Sequence, residues 1–251
     1  MASTLAITAE SWPITGSFAI SRGAKTQADV MVAELGDGKA HGRGECVPYA
    51  RYGESIESVM AALEAMRPRL AAGLDRAALQ KAMPPGAARN ALDCAFWDFE
   101  AKSSSRPVHK LAGLPAPQPV TTAFTISLAA PDVMAKAAAT AAGRALLKVK
   151  LGAKDDGDSL RIAAVRAAAP KASLIVDVNE GWSEANLAAN LAACAQANVS
   201  LVEQPLPADA DTALATIKHP IPICADESAH GLASLAALAG KYDAVNIKLD
   251  K

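Results

Sequence analysis

From residue 120 onward, short apolar runs of four to eight residues alternate with stretches whose apolar positions recur every three or four residues. The runs predict strands at 120–127, 145–151, 174–178, 201–204, 222–225 and 244–249. The helical periods between them fall at 132–142, 158–169, 184–196, 211–218 and 232–239. Repeated β-α units imply parallel strands joined by right-handed crossovers. Six strands in series suit either a (β/α) barrel or an open doubly wound sheet. No glycine-rich phosphate loop follows the first of them, which argues against a dinucleotide-binding fold.

Residues before 115 follow another pattern. Strands are predicted at 5–14 and 29–35, the second followed by the turn Gly36-Asp37-Gly38 and a hairpin partner at 42–48. Residues 21–26 form a polar loop with no reason to be buried, and 47–54 a second irregular loop. Ile56, Val59, Met60, Leu63 and Met66 predict a helix over 55–70. Leu92, Ala95, Phe96 and Phe99 predict another over 87–102. Pro115, Pro117 and Pro119 mark a linker. The expected division is therefore an α+β domain at 1–115 and a β-α domain at 116–251.

The chemistry lies at the carboxyl-terminal ends of the predicted strands, where barrel active sites are built. Lys148 and Lys150 end one strand and alternate, so they share a face. Asp177, Glu203, Asp226 and Lys248 end the next four, at intervals of 22 to 27 residues, about one β-α unit each. Singly, an acidic residue there is a helix cap or a solvated charge. Together, three converging carboxylates repel and need a cation. An all-oxygen set with no His or Cys points to Mg²⁺. Two close lysines lower the ionisation of one another, so one amine pKa should fall and that lysine should serve as a general base. This combination suits removal of a proton α to a carboxylate, with the enolate charge stabilised by the metal and an acid on the other face returning a proton.

Composition narrows the classes. A net charge of −1 and a pI near 6.4 give no basic surface for nucleic acid or an anionic membrane. Cys46, Cys94, Cys194 and Cys224 are far apart and read as small core residues of a reducing, cytoplasmic setting. Neither a signal peptide nor an apolar stretch of membrane-spanning length is expected. His41, His109, His219 and His230 stand outside the constellation, and Trp182 reads as packing.

At Lys148-Val149-Lys150, Asp177-Val178-Asn179-Glu180-Gly181-Trp182, Glu203-Gln204-Pro205, Ala225-Asp226-Glu227-Ser228 and Asn246-Ile247-Lys248, the chain resembles the muconate-lactonizing subgroup of the enolase superfamily. Softer cues at Phe18–Gly23, Glu45–Glu54 and Thr125-Ile126-Ser127 are most similar to its dipeptide epimerases of the L-Ala-D/L-Glu type. The resemblance implies a TIM-like (β/α) barrel with an N-terminal α+β capping domain. It implies Asp177, Glu203 and Asp226 as Mg²⁺ ligands and Lys150 and Lys248 as opposed acid/base catalysts. Lys148 would tune Lys150 and touch the substrate carboxylate. Thr125 would bind substrate, and Arg22 would meet the distal carboxylate of a glutamate side chain, or else be a solvated loop arginine. Asn179 and Glu227 would orient ligands and Lys248. The family barrel continues for two further strands, so a barrel truncated after strand six is expected. A small dipeptide is the expected partner, with a homo-oligomer left open. Alternatives are a cycloisomerase or o-succinylbenzoate synthase of the same subgroup, a truncated non-catalytic product, and a Schiff-base aldolase using Lys150.

Overall fold

The computed structural model describes residues 4–250 and divides them into two compact units. One comprises the chain up to Ile14, Gln27–Pro119 and the residues from Lys248 on. The other comprises Thr15–Thr26 and Val120–Ile247.

The first unit is built on a three-stranded sheet ordered β1 (Thr4–Ile20), β2 (Gly23–Gly36), β3 (His41–Cys46), with β3 antiparallel to β2. Along β3, buried Gly42, Gly44 and Cys46 alternate with exposed His41, Arg43 and Glu45, the period-2 signature of a half-buried strand. Helices α1 (Ile56–Glu64), α2 (Arg67–Ala71), α3 (Arg76–Ala82), α4 (Ala87–Ser104) and α5 (Val108–Leu111) follow. Met31, Ala33, Leu35, Leu63, Leu79, Leu92 and Phe96 are among the residues of its core. β3 and α4 touch backbone to backbone. A Cβ on Gly44 would stand 1.9 Å from the Ala91 carbonyl oxygen, and one on Gly42 2.1 Å from the Phe99 nitrogen.

The second unit is a six-stranded sheet in sequence order, all neighbours parallel: β4 (Phe124–Ile126), β5 (Leu146–Lys150), β6 (Ser173–Asp177), β7 (Val199–Glu203), β8 (Ile223–Ala225) and β9 (Ala244–Val245). Helices α6 (Pro131–Thr140), α7 (Asp158–Ala168), α8 (Glu184–Gln196) and α9 (Leu235–Leu238) cross between strands. Leu147, Val149, Leu174, Val176 and Val202 form a core with Met134, Ile162, Val165, Leu187 and Leu191 from the helices. Trp182 is buried there and donates from Nε1 to Asp158. Among the described residues no helix is long and apolar enough to cross a membrane. Cys46, Cys194 and Cys224 are buried and Cys94 half-buried. Burial pushes each of the three buried thiols up to about 12.

Several elements differ from the periodicity. The helix expected over 55–70 breaks at Ala65-Met66, because Pro68 has no N–H and its ring clashes with the preceding turn. The loop expected at 21–26 is only a two-residue turn, Ser21-Arg22, with β2 starting at Gly23. Residues 211–218 form a short 3₁₀ turn, Thr212–Ala215, instead of a helix. The strand expected at 244–249 spans two residues.

A Gly44→Val chain should lose about 3 kcal/mol of stability, the upper end of the cost of overpacking. Urea unfolding followed by circular dichroism checks this. A midpoint matching the parent would contradict the backbone contact.

Candidate active site

Register decides which side chains meet. Lys150 pairs with Asp177, Asp177 with Glu203, and Glu203 with Cys224. In-register residues of parallel strands point to one side, so Lys150, Asp177 and Glu203 form a row across β5, β6 and β7. Lys148 shares their face, with Thr125 of β4 directly beside it. Asp226 lies two residues past Cys224. The opposite face, carrying Val149, Val176 and Val202, is locked in the core.

Just beyond the row the chain turns abruptly. Asn179, Glu180 and Gln204 adopt left-handed backbone, with φ of 48°, 67° and 38°, uncommon for residues with a side chain. The surroundings hold that conformation. Glu180 N donates to Gln204 O at 2.9 Å, and Trp182 N to Pro205 O at 3.0 Å. The loop after β5 crosses the loop after β6 at two glycines. A Cβ on Gly181 would come within 2.5 Å of Gly152 Cα, so only glycine fits.

Charge is densely paired. Lys148 Nζ lies 2.8 Å from Asp177 Oδ2 and 2.8 Å from Glu203 Oε2. Lys150 Nζ lies 2.6 Å from the same Asp177 oxygen and donates to Asn179 Oδ1 at 2.9 Å. Asn246 Nδ2 donates to Glu203 Oε1 at 2.9 Å. Asp177 and Asp226 are 1% exposed and Glu203 is 4% exposed. Burial, with the Asp177 charge added, raises the Glu203 carboxyl above its ordinary value despite Lys148. Burial also pulls the Lys148 ammonium down, but the charges of Asp177 and Glu203 outweigh it and leave the amine raised. At Lys148, the lysine expected to tune its neighbour, the opposite-charge contacts dominate over burial and over the second lysine.

The turn at Ser21-Arg22 closes over the same loops. Ser21 Oγ donates to Asn179 O at 2.7 Å, and Arg22 Nη1 to the same oxygen at 2.8 Å. Arg22 also pairs with Glu180 at 3.1 Å and Glu227 at 2.8 Å. Asn179 Nδ2 donates to Glu227 Oε1 at 3.2 Å, linking Arg22 to Lys150 through Glu227 and Asn179. The Phe18 ring centroid is 5.6 Å from Lys150 Nζ. Arg22 is thus engaged with protein groups while about a third of its side chain stays open to solvent.

Thr125, Lys148, Lys150, Asp177, Asn179, Glu203, Asp226, Glu227 and Arg22 all fall in the second unit. Lys248 lies in the segment that groups with the first. Sequence reasoning passed over Phe18, Ser21, Glu180 and Gln204 as working parts. The local hint was that Glu180 and Gln204 stand inside the motifs at 177–182 and 203–205, and Phe18 and Ser21 inside the softer cue at 18–23.

Family models match almost the whole chain. "Mandelate racemase / muconate lactonizing enzyme, N-terminal domain" matches residues 2–113, and "Enolase C-terminal domain-like" matches 132–251. The L-Ala-D/L-Glu epimerase of Escherichia coli K12 is 48% identical over 250 residues, 99% of this chain and 77% of that protein. The chain belongs to the enolase superfamily. An N-acetyl-D-glutamate racemase of a Pseudoalteromonas species is 41% identical, over 88% of this superfamily member and 70% of that protein. With epimerases and racemases as relatives, this member is an isomerase by reaction class. An enolase family member from Agrobacterium tumefaciens with homology to dipeptide epimerases, solved with sodium and L-Ala-L-Glu, superposes with a TM-score of 0.94. It is 56% identical over 98% of this chain and 75% of that one. The dipeptide epimerase of Cytophaga hutchinsonii, solved with Mg and D-Ala-L-Val, has a TM-score of 0.90. It is 25% identical over 100% of this chain and 73% of that one.

Among the described residues, no group of three or more His, Cys, Asp or Glu is assembled to hold a metal ion. Asp177 and Glu203 instead each turn an oxygen onto the Lys148 ammonium. The donor set still fits a hard divalent ion: three buried carboxylates at the ends of adjacent strands, two of them already sharing one cation.

Replacing that cation is informative. Lys148→Met in the metal-free chain should cost about 3 kcal/mol, the lower end for breaking a buried pair, since Lys148 keeps partial exposure. Unfolding in EDTA measures it, and added Mg²⁺ should restore part of the loss.

Proposed function

We propose that this superfamily member is a dipeptide epimerase of the L-Ala-D/L-Glu type. In this reading, Lys150 and Lys248 exchange the α-proton from opposite faces, and Asp177, Glu203 and Asp226 hold Mg²⁺. The observation that carries it is the Lys150 amine, fixed between Asp177 and Asn179 in a row of buried carboxylates. The names and identities of the relatives support the substrate class.

Each residue then has a task. Lys150 acts as a base only as the neutral amine, so it must give up its bond to Asp177 first. Asn179 keeps the amine placed while it does, and Glu227 holds Asn179. Lys248 takes or returns the proton on the other face. Lys148 meets the substrate carboxylate, Thr125 lines the same face, and Arg22 receives the distal carboxylate of a glutamate residue. When bound, the divalent ion would supply positive charge to the carboxylate oxygens as the α-carbon loses its proton.

Incubation with L-Ala-L-Glu and Mg²⁺ in D₂O should convert it to the other diastereomer with one α-deuterium, read by NMR. Lys150→Ala should slow this by about 10²–10⁴-fold, the usual worth of a general base, measured below the variant's own melting temperature, which should drop because the buried Asp177 loses a cation. Absence of α-exchange in the parent with Glu-terminated dipeptides overturns the substrate assignment. Exchange of N-acetylglutamate alone would reassign the substrate and keep the chemistry.

A further inference from the structure

A second polar cluster lies beside the carboxylate row. Asp211 is 2% exposed and Gln204 fully buried. Asp211 Oδ2 accepts from Tyr242 OH at 2.7 Å and from Ser228 Oγ at 2.9 Å, and its Oδ1 accepts from Lys241 Nζ at 2.6 Å. Gln204 Nε2 lies 2.9 Å from Ser228 Oγ, 2.9 Å from Tyr242 OH and 2.8 Å from Leu206 O. Gln204 Oε1 accepts from the backbone N–H of Asp226 and of Ser228, each at 3.0 Å.

Ser228 Oγ and Tyr242 OH also lie 3.0 Å apart, and the cluster orders its hydrogens around Asp211. An ionised Asp211 only accepts. Tyr242 and Ser228 therefore spend their protons on it or on one another, and present lone pairs to Gln204. Gln204 must then turn its NH₂ toward the hydroxyls, which leaves its oxygen facing the Asp226 and Ser228 amides. Those amides belong to residues beyond the end of β8, where no strand pairing holds them. Gln204 also ties the neighbouring strands by its backbone. Its N donates to Cys224 O, and its O accepts from Glu180 N, both at 2.9 Å. Its left-handed φ of 38° frees the side chain to continue the β7–β8 ladder past its last rung.

We propose that Asp211, through Tyr242, Ser228 and Gln204, is a positioning residue that fixes the backbone carrying Asp226 and Glu227. Its charge favours the amide orientation of Gln204 from two hydrogen bonds away. The assignment rests on the metal role proposed above for Asp226, and its local readout stands apart from turnover.

The test uses the full chain with Asp211→Asn, which keeps shape but can donate, and Tyr242→Phe, which deletes one hydroxyl. Hydrogen exchange by mass spectrometry should speed up in residues 224–230 and stay unchanged in α8. Mn²⁺ affinity, read by electron paramagnetic resonance, should fall about 10–100-fold for Asp211→Asn, the range for outer partners of a ligand, and less for Tyr242→Phe. With Tyr242→Phe, kcat should fall while KM for the dipeptide holds. If Asp211→Asn fails to fold, the Tyr242→Phe chain decides. Parent-like exchange at 224–230 and parent-like Mn²⁺ affinity in a folded variant overturn the proposal. A parent chain that shows no epimerisation while these shifts occur overturns the proposed function and leaves this assignment standing.

Discussion

Like charge held out of water is the constraint on which the second unit depends. Two unit charges 4 Å apart interact by about 4 kcal/mol at the effective dielectric near a protein surface, and burial removes the solvent that would soften this. Asp177, Glu203 and Asp226 end neighbouring strands and are almost wholly buried. Such a row is tolerable only with cations among it. Lys148 and Lys150 meet that need, because the alternation of β5 places both amines on the carboxylate side and Val149 on the other. The apolar face thus fixes the sheet, while the charged face stores a repulsion that a ligand or an ion can relieve. A site of this kind is stable with its lysines in place and still poised to exchange them for another cation.

Strand pairing ends where the chemistry begins, so side chains must take over from the backbone. Three residues past the strand ends are left-handed, and each is pinned by long-range bonds. Asn179 takes the Lys150 amine on one side and gives a proton to Glu227 on the other. Gln204 replaces the next rung of the ladder with its amide. Irregular backbone at this depth would leave unpaired N–H groups, and those are costly when buried. The amide side chains satisfy them and pass orientation from strand to strand. Positions that look unremarkable as sequence therefore carry the geometry of the carboxylates.

The strand-end charges were legible because a β-α unit repeats at a nearly constant length, and parallel register converts equal phase into spatial proximity. The helix pattern of 184–196 was legible for the same reason: packing on one face imposes its period directly. Other features were hidden by distance or by local chemistry. Arg22 meets Asn179, Glu180 and Glu227 from 157 to 205 residues away, and no local pattern announces such partners. The helix expected at 211–218 fails because Asp211, in the capping position, makes no cap and turns its carboxylate to Ser228, Tyr242 and Lys241. The periodicity there was real, but a tertiary bond claimed the residue that would have started the helix. At 55–70 a proline overrode an apolar stripe. The carboxylate partners of the Lys148 amine were hidden for a related reason. Its near neighbour in sequence is a lysine, whereas its near neighbours in space are carboxylates.

Arg22 shows how such pairing can shape selectivity. Its two carboxylate partners are unequal. Glu227 is deeply buried, and its Oε2 has no hydrogen-bond partner among the described residues. Taking the guanidinium away would leave that buried charge with Asn179 alone, and an abandoned buried charge is strongly destabilising. Glu180 is more exposed, and its other oxygen is already held by the Ala208 amide. A ligand carboxylate engaging Arg22 in the proposed role would therefore replace Glu180 and leave Glu227 bound. The exchange substitutes one carboxylate for another at nearly constant charge, so its cost is small and falls on geometry. A neutral side chain arriving at the same place would gain nothing by displacing Glu180. On the role proposed for Arg22, discrimination in favour of an acidic side chain would follow from an ion pair the protein already makes.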